Sequence, residues 1–383
     1  MPSKIIPSHR PDAILVWSLT ALIFLGLLML FTSSIVLSKE KTQINNDPST
    51  GSSTYYLLHQ ILYGFFPGIV LAYIFSKFSL DFLKKIAPFF LLLAIISLIL
   101  VFIPSLTFKA GGATRWINIG GFTFQPSEFA KLSLILYLAA FFEKKIETKK
   151  ITSFKESLIP FLIILAPIAF LLLLQPDMGT LGVISFIALL MFFGVGGSIS
   201  HVFLLIFLGI ALLLSAIFIF DYQAERVFTF LNPEEDILGD SYQINQSLIA
   251  LGSGGIFGKG FTNGIQKEGY LPQPMNDTIF AVWGEETGFL GATIIIILYL
   301  IICSRGFIIA KKAPNIFSQA LAIGITSWIS IQAMFHIMAV CGLIPFTGMP
   351  LPLISYGGSA LMCTLIGIGI LINISRRTVY NNK

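Results

Sequence analysis

The sequence predicts an all-α, polytopic membrane protein with about ten transmembrane helices and a large extracellular loop between helices 7 and 8. Three observations carry that prediction. Hydrophobic residues make up 55% of the chain and charged residues only 11%, whereas soluble domains carry roughly 25% charged residues. With a mean hydropathy of +0.87, the chain cannot cover a water-facing surface. Its apolar runs are long and continuous rather than alternating, which selects helices over a β-barrel. Lys and Arg also gather in alternate loops, as expected of a chain threaded back and forth through a bilayer.

Taken in order, the expected spans are 13–37, 57–76, 86–104, 127–143, 157–175, 179–195, 199–220, 277–303, 317–343 and 353–374. The first follows Lys4 and Arg10 and resembles a signal peptide only briefly. The run AILVWSLTALIFLGLLMLF is too long for a signal h-region, and no small-x-small cleavage site follows it, so it is read as a retained helix. The fourth and sixth spans are short. A brief GGSIS connection makes the sixth and seventh a tight hairpin.

Basic residues set the orientation. Lys77, Lys84 and Lys85 share one side with Lys144, Lys145, Lys149, Lys150 and Lys155, with Arg305, Lys311 and Lys312, and with Arg376, Arg377 and Lys383. The opposite loops hold only Lys39 and Lys41 in the first and no basic residue in 344–352. Both termini are therefore expected in the cytoplasm. The expected organisation is a cytoplasmic tail at 1–12, a single membrane domain at 13–375 and a cytoplasmic tail at 376–383, with 221–276 as the large outer loop. A loop of that length is usually functional or disordered. The helical spacing of YQINQSLIAL predicts an interfacial helix inside it, followed by a glycine-rich stretch from Gly252 to Gly260.

Several chemistries are excluded. Cys303, Cys341 and Cys363 lie in apolar runs without CxxC spacing, and His9, His59, His201 and His336 form no cluster, so neither a disulfide framework nor a histidine metal site is expected. GSGGIFGKG is not a Walker loop: Ser253 stands where the first glycine belongs, and Gly260 rather than Ser or Thr follows Lys259. Its plainer reading is close packing, with Lys259 at the membrane surface.

Four blocks carry the polar residues, and each has a bland and a functional reading. In GGATRWINIGGFTFQPSEFAKL, Arg115 and Trp116 fit an interfacial belt, and Pro126 suits a first helical turn. Glu128 and Lys131, three apart, share a helix face, either neutralising each other or presenting Lys131 to a phosphate. In QPDMGT, Asp177 either caps the helix beginning near Thr180 or serves catalysis. In PMNDTIFAVWGEETGFLG, Asp277 either caps the next helix or acts chemically. Glu285 lies two turns deeper, where an acid needs a cation, a polar cavity or a proton, and Glu286 is expected to point elsewhere and serve a different purpose. PFTGMPLPLISYGGSAL breaks helix regularity and is either a loop or a wall of the same site.

Together, ATRWINIGGFTFQPSEFAKL, QPDMGT, QSLIALGSGGIFGKG with NDTIFAVWGEETGFLGA, and GLIPFTGMPLPLISYGGSALM resemble the shape, elongation, division and sporulation family, the FtsW and RodA glycosyltransferases. The resemblance covers nearly everything after residue 12. It implies polymerisation of lipid II into glycan strands at the outer face of the cytoplasmic (inner) membrane, with Asp277 as the catalytic acid-base group. The family block usually reads HTDFIFA; here Asn276 precedes the acid and Thr278 replaces an aromatic residue. Arg115, Lys131 and Lys259 are the cations implied for the departing undecaprenyl diphosphate, with Glu128 and Glu285 holding cations in place. Gln125, Asp177 and Ser355 are further substrate-site candidates in the same blocks. No protein-bound metal is assigned, and a divalent cation such as Mg or Mn bridging carboxylate and diphosphate is left open.

The resemblance also implies a class B penicillin-binding protein transpeptidase as partner, alongside other divisome or elongasome membrane proteins. QKEGYLPQPMNDTIFAVWGEE looks more like the division branch, whereas IPFTGMPLP leans toward elongation. A RodA-like elongation polymerase, a lipid II flippase and a structural scaffold stand as alternatives.

Overall fold

A computed structural model describes residues 9–43, 51–110, 113–119, 122–232, 234–235, 239 and 241–378. Among these, helices occupy all ten expected spans: α1 (Ala13–Thr42), α2 (Tyr55–Lys77), α3 (Leu80–Leu100), α4 (Pro126–Glu147), α5 (Phe154–Leu174), α6 (Met178–Gly194) and α7 (Ile199–Ile219). After the long loop, which holds α8 (Asp221–Leu231) and α9 (Tyr242–Gly254), come α10 (Ile279–Lys311), α11 (Ile316–Val340) and α12 (Gly358–Ser375). Eight of the ten are long and apolar enough to cross a membrane. The other two are α6, which is shorter, and α4, which carries Glu128, Lys131, Glu143, Lys144 and Lys145 along its 22 residues.

Several helices start where the sequence supplies a cap or a proline. Asp12, Ser79 and Asn315 accept hydrogen bonds from the first turns of α1, α3 and α11. Pro126 opens α4. The centre of the bundle is α11, whose buried face runs from Phe317 to Val340 against α4, α6 and α10. By contrast, no fully buried residue is found among the described positions of α7, which packs against the core through the partly buried Val202, Leu204, Leu205 and Leu212.

The interfacial helix expected in YQINQSLIAL is present as α9. The amphipathic α8 and a small antiparallel sheet were not anticipated. β1 (Thr107–Ala110), β2 (Ala113–Ile119) and β3 (Phe122–Phe124) pair in the order β1-β2-β3 with Phe108 opposite Trp116 and Ile117 opposite Phe124. Aromatic and β-branched residues in TRWINI and FTF favour strands, which places Arg115 on a sheet rather than in a loose interfacial turn.

The two ends of the bundle differ. At the termini end, the His9 N–H donates to the Arg376 carbonyl, Asp12 pairs with Arg305, and Asn373 Nδ2 donates to the Phe75 and Phe78 carbonyls. The opposite end holds the sheet, the 175–177 turn, the long loop, and segment 341–357 between α11 and α12.

Candidate functional site

Segment 341–357 organises the site. It crosses the end of the bundle in irregular backbone, which at this depth must find partners within the protein. Tyr299 Oη donates to the Pro352 carbonyl at 2.5 Å, Gln332 Nε2 to the Pro350 carbonyl at 2.9 Å, and the Gly357 N–H to Gln60 Oε1 at 3.1 Å. The Ser355 hydroxyl donates to the Asn276 carbonyl at 2.7 Å and accepts from the Leu351 N–H at 2.8 Å, while the Tyr356 N–H donates to the Met275 carbonyl at 2.9 Å. Ser355 thus ties this segment to the strand of chain that presents Asp277.

Asp277 does not cap α10. Thr278 holds the cap position, and its hydroxyl turns back to the Pro272 carbonyl at 2.8 Å. Thr278 is the residue that departs from the family pattern, and it anchors the turn leading to the acid. Asp277 itself is half-buried, with Gly348 so close that a Cβ added there would lie 3.5 Å from Oδ2. Among the described residues no hydrogen bond reaches its carboxylate. Burial pushes its pKa up to about 7, and the positive charges of Arg226 and Arg115 hold it from rising further.

Arg115 reaches the site from β2. Its Nε donates to the Gln175 carbonyl at 3.3 Å and its Nη2 to the Pro176 carbonyl at 2.5 Å. Gln175 is fixed in turn by its Nε2, which donates to the Leu98 carbonyl. Asp177 is the N-cap of α6, accepting from the Thr180 N–H, and its Oδ2 is buried without a partner. Gln125 is the N-cap residue of α4, and its backbone N–H donates to Ser359 Oγ. Sequence reasoning missed Arg226 on α8. Its signal, a single basic residue in the amphipathic DYQAERVFTF, does not stand out from a surface helix.

The remaining candidates lie elsewhere. Lys131 and Glu128 are each 1% exposed and bonded at 2.7 Å; the ammonium also donates to Gln332 Oε1 at 2.6 Å and sits 5.2 Å from the Trp328 ring centre. Both side chains are enclosed, and Glu128 Oε2 is buried without a partner among the described residues. Lys259 pairs with Glu285 at 2.7 Å, and Glu285 also accepts the Ile265 and Gln266 N–H groups. Glu286 pairs with Lys267. The expectation that the two acids serve different purposes is therefore corrected: both fasten the loop at 259–267, which continues the glycine-rich segment, to α10.

That segment repairs a break in the helix. α10 kinks at Gly288, with φ 67° and ψ −165°. The Phe289 and Leu290 N–H groups donate to the Gly255 and Ile256 carbonyls, and the Lys259 and Gly260 N–H groups donate to the Glu285 and Glu286 carbonyls. Residues 255–260 thus supply the partners that the broken helix lacks, which is why GSGGIFGKG carries its glycines.

Among the described residues no three His, Cys, Asp or Glu side chains converge as a metal centre. The donor set does not by itself fit a metal, and no chemical step is derived through one.

The fold and site define a multi-pass helical membrane protein in which the Asp277 carboxylate, with no hydrogen bond among the described residues, lies in the field of two arginines. The chain belongs to the FtsW/RodA/SpoVE family of cell cycle proteins, whose model matches residues 13–380. It is 37% identical to stage V sporulation protein E of Bacillus subtilis over 97% of this chain and 98% of that one. It is 34% identical to a Coxiella burnetii protein named as a probable peptidoglycan glycosyltransferase, FtsW, covering 99% and 100% of the two. Among solved structures, a chain of a peptidoglycan synthase complex superposes with a TM-score of 0.76 at 27% identity, covering 96% of this chain and 98% of the other. The rod shape determining protein RodA of Thermus thermophilus superposes with a TM-score of 0.68 at 25% identity, covering 97% and 98%.

Proposed function

We propose that this protein is a peptidoglycan glycosyltransferase that polymerises lipid II into glycan strands, with Asp277 as general base. One observation carries the reading: a carboxylate with a pKa near neutrality, no hydrogen-bond partner among the described residues and two arginines in electrostatic range. A base is most useful when its pKa lies near working pH. In the reaction a sugar hydroxyl of one substrate attacks the anomeric carbon of the other. The new C–O bond forms as the bond to the diphosphate breaks, the proton passes to Asp277, and the diphosphate leaves on its lipid. Arg115 and Arg226 supply positive field on the side where negative charge develops.

The loops rich in Lys and Arg lie at the termini end, so both termini are assigned to the cytoplasm and Asp277 to the outer face of the inner membrane. The relatives named for division and sporulation favour a septal role over an elongation role. The partner is a class B penicillin-binding protein whose helix packs on the bundle; the likeness to a chain of a synthase complex supports that pairing.

The test is reconstitution of the pure protein with labelled lipid II and its transpeptidase partner. Polymer made by the wild type and lost in Asp277→Ala supports the enzyme. Headgroup crossing without polymer establishes a flippase instead, and growth supported by Asp277→Ala establishes a scaffold.

A further inference from the structure

Two polar side chains of α11 have no place in the chemistry above, yet both reach the segment that bears on Asp277. Trp328, Gln332 and His336 recur every four residues and so form one stripe along the helix. Gln332 is 2% exposed and His336 1%. A buried polar group at that depth persists only where its hydrogen bonds are made, and theirs converge on two consecutive residues, Met349 and Pro350.

The orientation of Gln332 is fixed by its neighbours. Its Oε1 accepts from Lys131 Nζ at 2.6 Å and from Trp328 Nε1 at 2.8 Å. Both of those groups can only donate, so the amide cannot flip without facing N–H against N–H. Its Nε2 must therefore point the other way, where it donates to the Pro350 carbonyl at 2.9 Å. The Lys131 ammonium sets that orientation, and Glu128 holds the ammonium in place at 2.7 Å. One turn further on, His336 Nδ1 lies 2.7 Å from the Met349 carbonyl. A carbonyl only accepts, so Nδ1 carries the proton and Nε2 is left as a buried lone pair without a partner.

Gly348 directly precedes these two clamped carbonyls. It has φ +65°, and its Cα side faces Asp277 Oδ2. On the other side, the Met349 side chain and Thr347 press against Gly179, where an added Cβ would meet them at 2.8 and 3.3 Å. The backbone at 347–350 is thus gripped from α6 and α11 while it walls the acid.

We infer that Gln332 and His336 are positioning residues: they clamp the Pro350 and Met349 carbonyls so that Gly348 seals one side of the Asp277 carboxylate. The Lys131–Glu128 pair orients Gln332 and does not hold the substrate diphosphate. This rests on the reading of Asp277 as the base. Losing either clamp leaves a carbonyl unpaired, loosens residues 347–350 and admits water to Asp277. The consequence is misplacement and rehydration of the base, not weaker substrate binding.

The experiment compares His336→Leu, His336→Asn and Gln332→Leu in the full chain with its transpeptidase partner. An Asn amide nitrogen occupies the place of the histidine Nδ1 and can donate to the same carbonyl. His336→Leu and Gln332→Leu are expected to lower kcat by about tenfold or more while KM stays within about threefold, since small misplacements act on the chemical step. The acid limb of the pH–rate profile is expected to move down by about one unit as burial of Asp277 is relieved. His336→Asn is expected to restore both readings. A rise in KM without loss of kcat in Gln332→Leu would overturn the inference and return Lys131 to the substrate. So would equal loss in His336→Leu and His336→Asn with an unmoved acid limb. The Asp277 carboxyl stretch, followed by infrared titration with Asp277→Asn subtracted, reads the clamp without activity. If the wild type polymerises nothing, the enzymatic reading fails, while a titration midpoint lowered in His336→Leu and kept in His336→Asn still upholds the clamp, and an unmoved midpoint sinks it.

Discussion

Asp277 and Glu286 stand nine residues apart on one stretch of chain and are treated in opposite ways. Glu286 is 1% exposed, paired with Lys267, beside a Glu285 that takes Lys259 and two backbone N–H groups. Asp277 has only the more distant fields of Arg226 and Arg115. A carboxylate held by a lysine ammonium is committed to structure. One that is desolvated but under-partnered holds its proton near neutrality and can exchange it. What separates them is the donors the fold brings to each.

The largest effect that would break this contrast is on rate. Asp277→Asn keeps shape and removes the base, so polymerisation of labelled lipid II should fall by about 10²–10⁴-fold. Folding should not suffer. A carboxyl whose folded pKa is raised gives stability that is full below its unfolded pKa and lost as pH rises through the folded value. From about pH 4 to 7 the unfolded chain ionises Asp277 while the folded protein holds its proton, so the wild type loses stability that Asn does not. The melting temperature of Asp277→Asn should exceed that of the wild type by a margin that grows over this range and then levels. A margin that is constant with pH would mean that Asp277 is not desolvated.

Glu286→Gln should show the reverse pattern. It leaves the Lys267 ammonium, 3% exposed at its side chain, without a counter-charge. Removing one partner of a buried pair costs about 3–5 kcal/mol, so thermal unfolding in detergent should fall sharply, while the residual folded enzyme keeps its pH profile. Gly258→Ala tests the same fastening more gently. Gly258 has φ +80°, and a Cβ there would lie 2.2 Å from the Glu286 carbonyl oxygen. The expected loss is about 1–3 kcal/mol from the strained backbone conformation, read by the same melt. An unaltered melting temperature would show that the glycine-rich segment does not brace the kink.

The sequence made the scaffold legible and the wiring less so. Continuous apolar runs mark spans unambiguously, because a bilayer admits little else; the helices overlap all ten expected ranges, though α10 runs to Lys311, eight residues past its expected end at 303. The glycines at 252–260 were read as close packing, and they are, but their purpose depended on the Gly288 kink, which no local signal announces. The sheet was missed because TRWINI sits between hydrophobic helices, where its alternation is easily taken for an interfacial turn. Arg226 was missed because its relation to Asp277 spans fifty residues and two helices. Gln332 and His336 look like ordinary polar interruptions of α11 until segment 341–357 is seen folded against them.

The smallest expected effect sharpens the comparison most directly, because it tunes Asp277 without removing it. Of the two charges that restrain its pKa, Arg226 acts more strongly than Arg115. Arg115 also holds the Gln175 and Pro176 carbonyls, so its loss would mix electrostatics with a structural change. Arg226→Gln removes the stronger of the two charges. With one restraining charge gone, desolvation meets less opposition, and the Asp277 pKa should rise above its present value near 7 by about one unit. A base is active when ionised, so the acid limb of the polymerisation rate should move to higher pH by the same amount. Activity at pH 6 should then fall by about tenfold, with partial recovery above pH 8. Screening supplies an internal control: added salt should shift the limb of the wild type in the same direction and that of Arg226→Gln less. A limb that stays put would locate the titrating group elsewhere, and the distinction between Asp277 and its ion-paired neighbours would lose its electrostatic basis.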